Sequence, residues 1–452
     1  MEELLYGREL LWKELPRELQ KAIQEEKIKV KIIPSYYVEK GIDYCQRCQT
    51  PLTKVKAEEC TCRQACAYCR NCIKMGKVKK CSVFYSLVEP NYFSNYKQTK
   101  LSWEGQLSKQ QEKAARTVRD TVGKKAEVLL WAVTGSGKTE MVFRGIEYAL
   151  LQQQRVCIAT PRVDVCLELA PRLKAAFPHT SICVLYGEME EPYAYTQLVI
   201  STTHQLFRFK DAFDVIIIDE IDAFPFYLDE SLQFTVKKAQ KKKAAIIYLS
   251  ATPNKKMKKD ISKNKLEAII LPARYHGHSL PVPQLKWCSN WRINVLKRFH
   301  RTSFGKKVAQ KIKSHRRFLI FVPNIEWMLA LEKTIQKYYP EVLFTAVYAE
   351  DPKRKEKIQK MRNQEFQFLL STTILERGVT FSNIDVLVIG AEDSIFTEAA
   401  LVQIAGRSGR SPQFPTGEVW FFHEGQSLAM KRAVKQIKEM NRLAKKRGLI
   451  DE

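Results

Sequence analysis

Short apolar runs rich in valine and isoleucine recur along the middle of the chain and alternate with longer stretches suited to helices. They predict strands at Val128–Trp131, Val156–Ala159, Val199–Ser201, Val215–Ile218 and Ile246–Leu249. Strands of a parallel sheet are continuously apolar because helices cover both faces of the sheet. The pattern therefore predicts an α/β domain with a parallel sheet over residues 103–272.

The same alternation restarts after a break that begins at Leu271-Pro272 and includes Pro281-Val282-Pro283. A second set of strands is predicted at Phe318–Val322, Val342–Val347, Phe368–Ser371, Val386–Ile389 and Glu418–Phe422. The break predicts a linker, and residues 290–428 are then a second α/β domain. Residues 429–452 have a helical and strongly basic pattern.

The residues before the first α/β domain have a different pattern. Lys27–Ile33 alternates polar and apolar side chains, which predicts a half-buried strand within an N-terminal segment, residues 1–44. Eight of the twelve cysteines follow between Cys45 and Cys81, and they define a cysteine-rich module over residues 45–85. Tyr92–Lys100 is predicted to be a connector. The sequence of residues 1–44 indicates no function.

Composition narrows the class of protein. A chain of 452 residues with a hydrophobic fraction of 45% can bury the cores of about three domains, which excludes a disordered protein. The 75 Lys and Arg against 49 Asp and Glu give a net charge of +26, which indicates a polyanionic partner. No apolar run approaches the ~18 residues of a membrane span. The acidic start, Met1-Glu2-Glu3, lacks signal-peptide features, so we expect a cytoplasmic protein.

The segment after the first predicted strand, Ala132–Thr139, has the sequence of a phosphate-binding P-loop and precedes a predicted helix. Lys138 supplies positive charge to the β- and γ-phosphates, and Thr139 offers a hydroxyl to magnesium. A strict motif has glycine where Ala132 stands. The backbone N–H groups that surround the phosphates are expected from Thr134, Gly135, Ser136 and Gly137.

Acidic residues follow the predicted strand Val215–Ile218, at the end of the strand where open α/β sheets place their chemistry. We expect Asp219 to hold magnesium through water and Glu220 to polarise the attacking water. Alone, Asp219–Asp222 is equally consistent with a solvated acidic loop. Together with the P-loop, it predicts an ATP-hydrolysing site.

Several further segments between residues 103 and 428 resemble, in the same order, the motifs of superfamily 2 helicases. They are Leu107–Gln111, Thr160–Arg162, Thr202–His204, Ser250–Thr252, Phe321–Asn324, Ser371–Val379 and Gln403–Arg410. The resemblance implies two RecA-like domains that clamp ATP between them. It also implies that residues 160–162 and 202–204 grip the nucleic-acid strand and that residues 250–252 couple hydrolysis to domain movement.

The same resemblance assigns roles at the nucleotide. It implies that Gln111 recognises adenine and that Gln403 belongs to the nucleotide-binding set. Arg407 and Arg410 are three residues apart, which predicts one face of a helix. The family uses this pair as arginine fingers on the γ-phosphate.

A narrower resemblance rests on the cysteine module together with Thr160–Val165 and Glu376–Phe381, which are similar to segments of the ComFA family of competence-associated DNA translocases. The PriA helicases also combine zinc-bound cysteines with a superfamily 2 motor, but they place them between the halves of the motor. Resemblance to ComFA implies ATP-dependent movement of transforming single-stranded DNA through an uptake channel at the inner face of the membrane. It also implies a ComFC-like partner of the phosphoribosyltransferase family. A restart or repair helicase, a zinc-dependent adaptor and a homo-oligomer stay open.

Cys45, Cys48, Cys69 and Cys72 form two C-x-x-C pairs with twenty residues between them, the spacing of a four-cysteine zinc ribbon. Four thiolates leave no open position for water, so we expect a structural rather than a catalytic zinc. The remaining cysteines of the module leave the ligand set and a second ion open: Cys60, Cys62, Cys66 and Cys81. Small buried apolar side chains are expected of the other four, Cys157, Cys166, Cys183 and Cys288.

The basic residues are concentrated in three runs. Lys237–Lys265 has eleven lysines and one acid, residues 294–317 have nine Lys or Arg and no acid, and Lys431–Arg447 has eight and one acid. Each run alone is equally consistent with a solvated surface. Three such runs in a chain of this charge favour a groove that follows nucleic-acid phosphates with steep salt dependence.

Overall fold

Helices and strands alternate through most of the chain in the computed structural model, which describes residues 1–51, 60–62, 66–93, 98–187, 189 and 191–450. Residues 94–97 of the predicted connector, residues 52–59 and 63–65 of the predicted cysteine module and residues 451–452 of the predicted basic helix lie outside the described residues. Spatial contacts divide the chain into one unit of Met1–Leu130 with Thr139–Ile269 and another of Trp131–Lys138 with Ile270–Glu452.

The helices are α1 (Arg17–Gln24), α2 (Lys109–Thr121), α3 (Lys138–Leu151), α4 (Val163–Ala176), α5 (Glu230–Ala239), α6 (Lys255–Ser262), α7 (Trp291–Lys297), α8 (Ser303–Lys313), α9 (Ile325–Tyr338), α10 (Arg354–Arg362), α11 (Glu398–Ala405) and α12 (Leu428–Lys446). The strands are β1 (Leu10–Leu11), β2 (Lys31–Pro34), β3 (Tyr36–Glu39), β4 (Ile42–Cys45), β5 (Val83–Ser86), β6 (Glu127–Ala132), β7 (Val156–Thr160), β8 (Ile182–Leu185), β9 (Leu198–Thr202), β10 (Phe213–Ile218), β11 (Gln240–Ser250), β12 (Glu267–Leu271), β13 (Gln284–Trp287), β14 (Arg317–Phe321), β15 (Phe344–Val347), β16 (Phe368–Ser371), β17 (Ile384–Ile389) and β18 (Val419–His423).

The first α/β sheet has, among the described residues, seven strands in the order β12-β6-β11-β10-β7-β9-β8. Strands β11, β10, β7, β9 and β8 run parallel. All five residues of β7 and of β9 are buried, as expected for strands covered on both faces. The predicted strands of this region are confirmed, and β8 and β12 are added at the edges.

The second sheet contains, within the described chain, six parallel strands in the order β13-β18-β17-β14-β16-β15. Side chains of β14 alternate between two cores: Leu319 and Phe321 pack on one face, and Phe318 and Ile320 pack on the other. The predicted fold class of two parallel-sheet domains is therefore confirmed. The strand at the outer edge, β13, lies in the segment that the sequence assigned to the linker.

The N-terminal residues form a small antiparallel sheet in the order β1-β5-β2 and the hairpin β3-β4. They pack on the first α/β domain through Glu89, which is paired with Arg155 with both side chains fully buried. The strand predicted over Lys27–Ile33 is wrong in extent, because β2 begins only at Lys31. It is an edge strand and mostly exposed, so alternation along this segment does not reflect a buried face.

No described helix has the length and apolar character that crossing a membrane requires.

Candidate functional site

The P-loop connects β6 to α3, which begins at Lys138. Gly135 and Gly137 have φ angles of +76° and +74°, in the left-handed region that favours glycine. The Lys138 ammonium donates to the carbonyls of Ala132 at 3.0 Å and Val133 at 3.3 Å, so it is turned back over its own loop. The remaining predicted phosphate-binding side chains are buried: Thr134, Ser136 and Thr139.

The predicted catalytic acids stand directly after β10. Asp219 is buried, and its carboxylate accepts a hydrogen bond from the Glu220 N–H at 2.8 Å. Glu220 has a φ angle of +56°, a conformation that non-glycine residues seldom adopt and that is concentrated at functional sites. The turn at the end of the strand thus fixes the backbone from which both carboxylates project.

Asp222 joins this acidic turn to the end of β11. Its two carboxylate oxygens accept hydrogen bonds from the hydroxyls of Ser250 at 2.7 Å and Thr252 at 2.6 Å. The Thr252 N–H also donates to the Ser250 hydroxyl at 3.0 Å. Because β10 and β11 are parallel neighbours, their carboxyl ends meet, and the network holds residues 219–222 and 250–252 together. This role of Asp222 was not predicted.

Gln111 lies in the first turn of α2 and takes part in its N-terminal cap. Its side-chain oxygen accepts from the Ser108 N–H at 2.7 Å, and its own N–H donates to the Ser108 hydroxyl at 3.4 Å. This reciprocal pair is a capping box, which satisfies backbone donors at the start of a helix. The expected adenine contact of Gln111 stays a prediction.

The two segments expected to grip the strand in the first domain meet at one edge of its sheet. Thr160 ends β7 and Thr202 ends β9, and the two residues are register partners. Arg162 is the N-cap residue of α4, and His204 lies in the turn of 3₁₀-helix after β9. The parallel sheet therefore brings together two segments that are separated by 39 residues of sequence.

The second domain has a corresponding edge. Phe321 at the end of β14 is the register partner of Ser371 at the end of β16, so residues 321–324 and 371–379 start side by side. Asn324 caps α9 by accepting from the Trp327 N–H at 2.8 Å. Both predicted motifs of this domain therefore follow adjacent parallel strands.

The prediction that Arg407 and Arg410 share a helix face is wrong. Helix α11 includes Gln403 but ends at Ala405; Arg407 follows in a turn, and Arg410 lies directly after that turn. Gly409 adopts a φ angle of +66°, so the helix does not extend to Arg410. Arg407 is buried and donates through Nε to the Glu376 carbonyl at 3.0 Å. Arg410 donates through Nε to the Gly406 carbonyl at 2.9 Å.

Arg274 supports this arginine segment and was missed by the sequence analysis. Its guanidinium donates to the carbonyl of Gly406 at 3.2 Å and to the carbonyl of Gly409, and its side chain is almost fully buried. Burial, together with the nearby Arg410 charge, lowers the pKa of Arg274 to about 9, which leaves it cationic at neutral pH. Its place within the proline-bearing break carried no signal of this role.

The two C-x-x-C pairs converge in the N-terminal module. The Sγ atoms of Cys45, Cys48, Cys69 and Cys72 all lie within 4.8 Å of one another, and the four residues are buried. The Sγ–Sγ distance is 3.9 Å for Cys45 and Cys72 and 3.5 Å for Cys48 and Cys69. Four convergent thiols with this spacing fit a tetrahedral zinc ion.

The cysteines outside the module are buried, as predicted: Cys157, Cys166, Cys183 and Cys288. Burial raises the pKa of Cys157 to about 12, so its thiol is protonated at neutral pH. A protonated, buried thiol behaves as a small apolar side chain.

Part of the basic charge is used inside the fold. The Lys238 side chain is 6% exposed and pairs with Glu9 at 3.2 Å. Lys311 is similarly buried and pairs with Asp385 at 2.5 Å. The predicted phosphate groove cannot include these side chains. The exposed lysines of α6 are available to a partner: Lys255, Lys256 and Lys259.

Family comparisons match three parts of the chain. Residues 104–255 match the res subunit of type III restriction enzymes, residues 295–412 match the helicase conserved C-terminal domain, and residues 1–86 match the competence protein ComFA N-terminal domain. The structure of S. cerevisiae Dbp5 bound to RNA and ADP BeF3 covers 74% of this chain and 92% of its own, with a TM-score of 0.52 and 13% identity. The fold and these matches define a superfamily 2 helicase-type ATPase.

Two relatives specify the family. Competence protein ComFA of Bacillus subtilis (strain 168) is 49% identical over 84% of this chain and 81% of its own. Competence protein ComFA of Streptococcus pneumoniae (strain ATCC BAA-255 / R6) is 37% identical over 93% of this chain and 95% of its own. The chain belongs to the ComFA family of competence proteins.

Proposed function

We propose that this protein is an ATP-dependent motor that moves along single-stranded DNA and draws transforming DNA into the cytoplasm. The observation that best supports motor activity is the pair of hydrogen bonds that Asp222 accepts from Ser250 and Thr252. It joins the acidic turn that bears Asp219 and Glu220 to the segment that couples hydrolysis to movement in superfamily 2 helicases. Hydrolysis of the γ-phosphate would alter the position of the acidic turn, and the Asp222 hydrogen bonds would transmit this movement to the end of β11.

In this proposal the chain's own residues bind and activate ATP. Lys138 leaves its loop carbonyls to pair with the phosphates, while Glu220 orients the attacking water. The Thr139 hydroxyl and, through water, the Asp219 carboxylate would hold magnesium, which would supply positive charge beside the phosphates. Arg407 and Arg410 stabilise the charge that develops on the γ-phosphate. Gln111 and Gln403 complete the nucleotide-binding set.

The DNA strand is held by its phosphates, since a motor has to pass over any base sequence. The paired ends of β7 and β9 support this role in the first domain, and the paired ends of β14 and β16 support it in the second. The net charge of +26 adds long-range attraction for a polyanion. Binding is accordingly expected to weaken steeply with salt.

The proposed setting is the cytoplasmic face of the membrane, where the motor works beside the DNA-uptake channel. A ComFC-like protein of the phosphoribosyltransferase family is the proposed partner, and assembly into a homo-oligomer is compatible with this role. We assign Cys45, Cys48, Cys69 and Cys72 a structural zinc, because a small module gains most of its folding free energy from such an ion.

Translocation can be tested by the release of streptavidin from a biotinylated single strand. The wild-type protein is expected to release streptavidin only with ATP and magnesium. Glu220→Gln is expected to bind ATP with unchanged affinity but to show neither hydrolysis nor release. Glu341→Gln, at an exposed glutamate between α9 and β15, serves as a control that retains hydrolysis.

The alternatives give different results in the same experiment. Efficient unwinding of a forked duplex without movement on single strands would favour a restart or repair helicase. Binding of DNA without ATP hydrolysis would favour an adaptor. Either result would contradict the proposed function.

A further inference from the structure

A second group of four thiols lies in the N-terminal module, apart from the two C-x-x-C pairs. The Sγ atoms of Cys60, Cys62, Cys66 and Cys81 all lie within 4.8 Å of one another. We propose that these four cysteines bind a second zinc ion, so that the module holds two structural zincs. The proposal depends on the module alone and is independent of whether the motor translocates DNA.

The spacing of the sulfurs fits the ion. A tetrahedral zinc with Zn–S bonds of about 2.3 Å separates its sulfur ligands by about 3.8 Å. The Sγ atom of Cys81 lies 3.7 Å from that of Cys60 and 3.5 Å from that of Cys66. The corresponding distances within the C-x-x-C set are 3.9 and 3.5 Å. The second group is therefore as close to zinc geometry as the first.

The backbone holds part of the second group in place. Residues 67–69 pair with residues 78–80 in a short antiparallel contact, with N···O distances of 2.9 and 2.8 Å. Cys66 and Cys81 directly flank the two paired segments, which keeps them side by side. Cys69, a ligand of the first group, lies within the same pairing. The two sets of ligands thus alternate along the chain and share a backbone support.

A nearby cation favours the form of the thiol that binds metal. The ammonium of Lys79 donates to the Sγ atom of Cys60 at 3.5 Å. Positive charge beside a thiol stabilises the thiolate, which is the zinc ligand.

The two groups differ in exposure. The four cysteines of the C-x-x-C pairs are at most 3% exposed, whereas Cys60 and Cys62 are half-buried and Cys81 is exposed. A chelator therefore has a shorter path to the second ion. We expect this ion to be released first and the ion of the C-x-x-C pairs to be released later.

The direct test is the zinc content of the purified full chain, measured by plasma mass spectrometry after removal of any affinity tag. The wild-type protein is expected to hold two zinc ions, and C60S/C62S is expected to hold one. C166A/C183A removes the same number of sulfurs from the first α/β domain and is expected to keep two. One zinc in the wild-type protein, or no loss in C60S/C62S, would overturn the proposal.

A second experiment does not depend on the folding of a cysteine variant. Zinc release from the wild-type protein into a chromogenic chelator is expected to show two equal phases. Lys79→Met removes the ammonium beside Cys60 and is expected to accelerate the first phase only, whereas Lys27→Met, at an exposed lysine outside the cysteine-rich module, is expected to change neither. A single phase, or equal acceleration of both phases by Lys79→Met, would contradict a separate second site.

Discussion

The Thr252 hydroxyl donates a 2.6 Å hydrogen bond to the carboxylate of Asp222, and both side chains are buried. This contact connects the ends of two neighbouring strands, β10 and β11, at the edge where ATP chemistry is expected. It holds the acidic turn, residues 219–222, against the segment Ser250–Thr252.

Thr252→Val keeps the shape of this side chain and removes its hydroxyl. Loss of one partner of a buried carboxylate costs about 1–3 kcal/mol, so the free energy of unfolding in urea should fall by this amount. Translocation per ATP hydrolysed should fall more than hydrolysis itself, because the link between the two segments is weakened. The control is Thr117→Val, which removes a hydroxyl bonded within its own helix. An unchanged coupling ratio in Thr252→Val would exclude the link from the mechanism.

Lys138→Ala removes the ammonium that the P-loop holds over its own carbonyls. Loss of a charged group that stabilises a transition state typically costs about 10²–10³-fold in turnover, and we expect a decrease of this size in ATP hydrolysis. Since Lys138 donates to carbonyls of its own loop, thermal unfolding should change little. Lys27→Ala, at an exposed lysine of the N-terminal segment, is the matched control. Hydrolysis above a tenth of the wild-type rate in Lys138→Ala would contradict the assigned role.

Arg274→Met removes the donors that hold the Gly406 and Gly409 carbonyls and so loosens the turn that bears Arg407 and Arg410. A hydrogen bond to a charged group is worth about 1.5–3 kcal/mol, so kcat for ATP should fall at least about tenfold. KM for ATP should change by less than kcat, because Arg274 acts through the turn. Arg274→Lys keeps the charge without the planar fork and should be intermediate. A change confined to KM would assign Arg274 to ATP binding instead.

Substitution of exposed lysines should change DNA binding, whereas substitution of a buried lysine should change the stability of the fold. K255Q/K256Q/K259Q should reduce the salt dependence of single-stranded DNA binding, by a slope of about 2 if each lysine pairs with one phosphate. Lys311→Gln removes the buried cation beside Asp385, which keeps its contact with Arg316 at 3.1 Å, and should lower the free energy of unfolding by about 1–3 kcal/mol. Its salt slope should stay that of the wild type. A wild-type salt slope in the triple variant would remove α6 from the DNA-binding surface.

The sequence predicted those features that depend on neighbouring residues. The strand at Val215–Ile218 is apolar on both faces, and the P-loop needs glycines at Gly135 and Gly137, so both have strong local signals. The edge strands β8, β12 and β13 were not predicted. Strand β13 mixes polar and apolar residues, whereas β8 and β12 are short apolar runs, which a sequence does not distinguish from parts of buried helices.

Features that depend on distant contacts could not be predicted. Arg274 acts on carbonyls more than one hundred and thirty residues away, and no local pattern marks it. The helix expected through Arg407 and Arg410 ends at Ala405, and Gly409 has a left-handed backbone conformation. The sequence does not reveal that conformation, because glycine also occurs inside helices. Lys311 is indistinguishable in sequence from a surface lysine, yet its ammonium pairs with the buried Asp385.

The central claim is that single-stranded DNA activates this ATPase. The most direct measurement is the rate of ATP hydrolysis by the zinc-replete protein with no nucleic acid, with single-stranded DNA, with duplex DNA and with RNA, each at two salt concentrations. We predict strong stimulation by single-stranded DNA that fades at the higher salt. Equal stimulation by RNA, or no stimulation by any polymer, would contradict the claim.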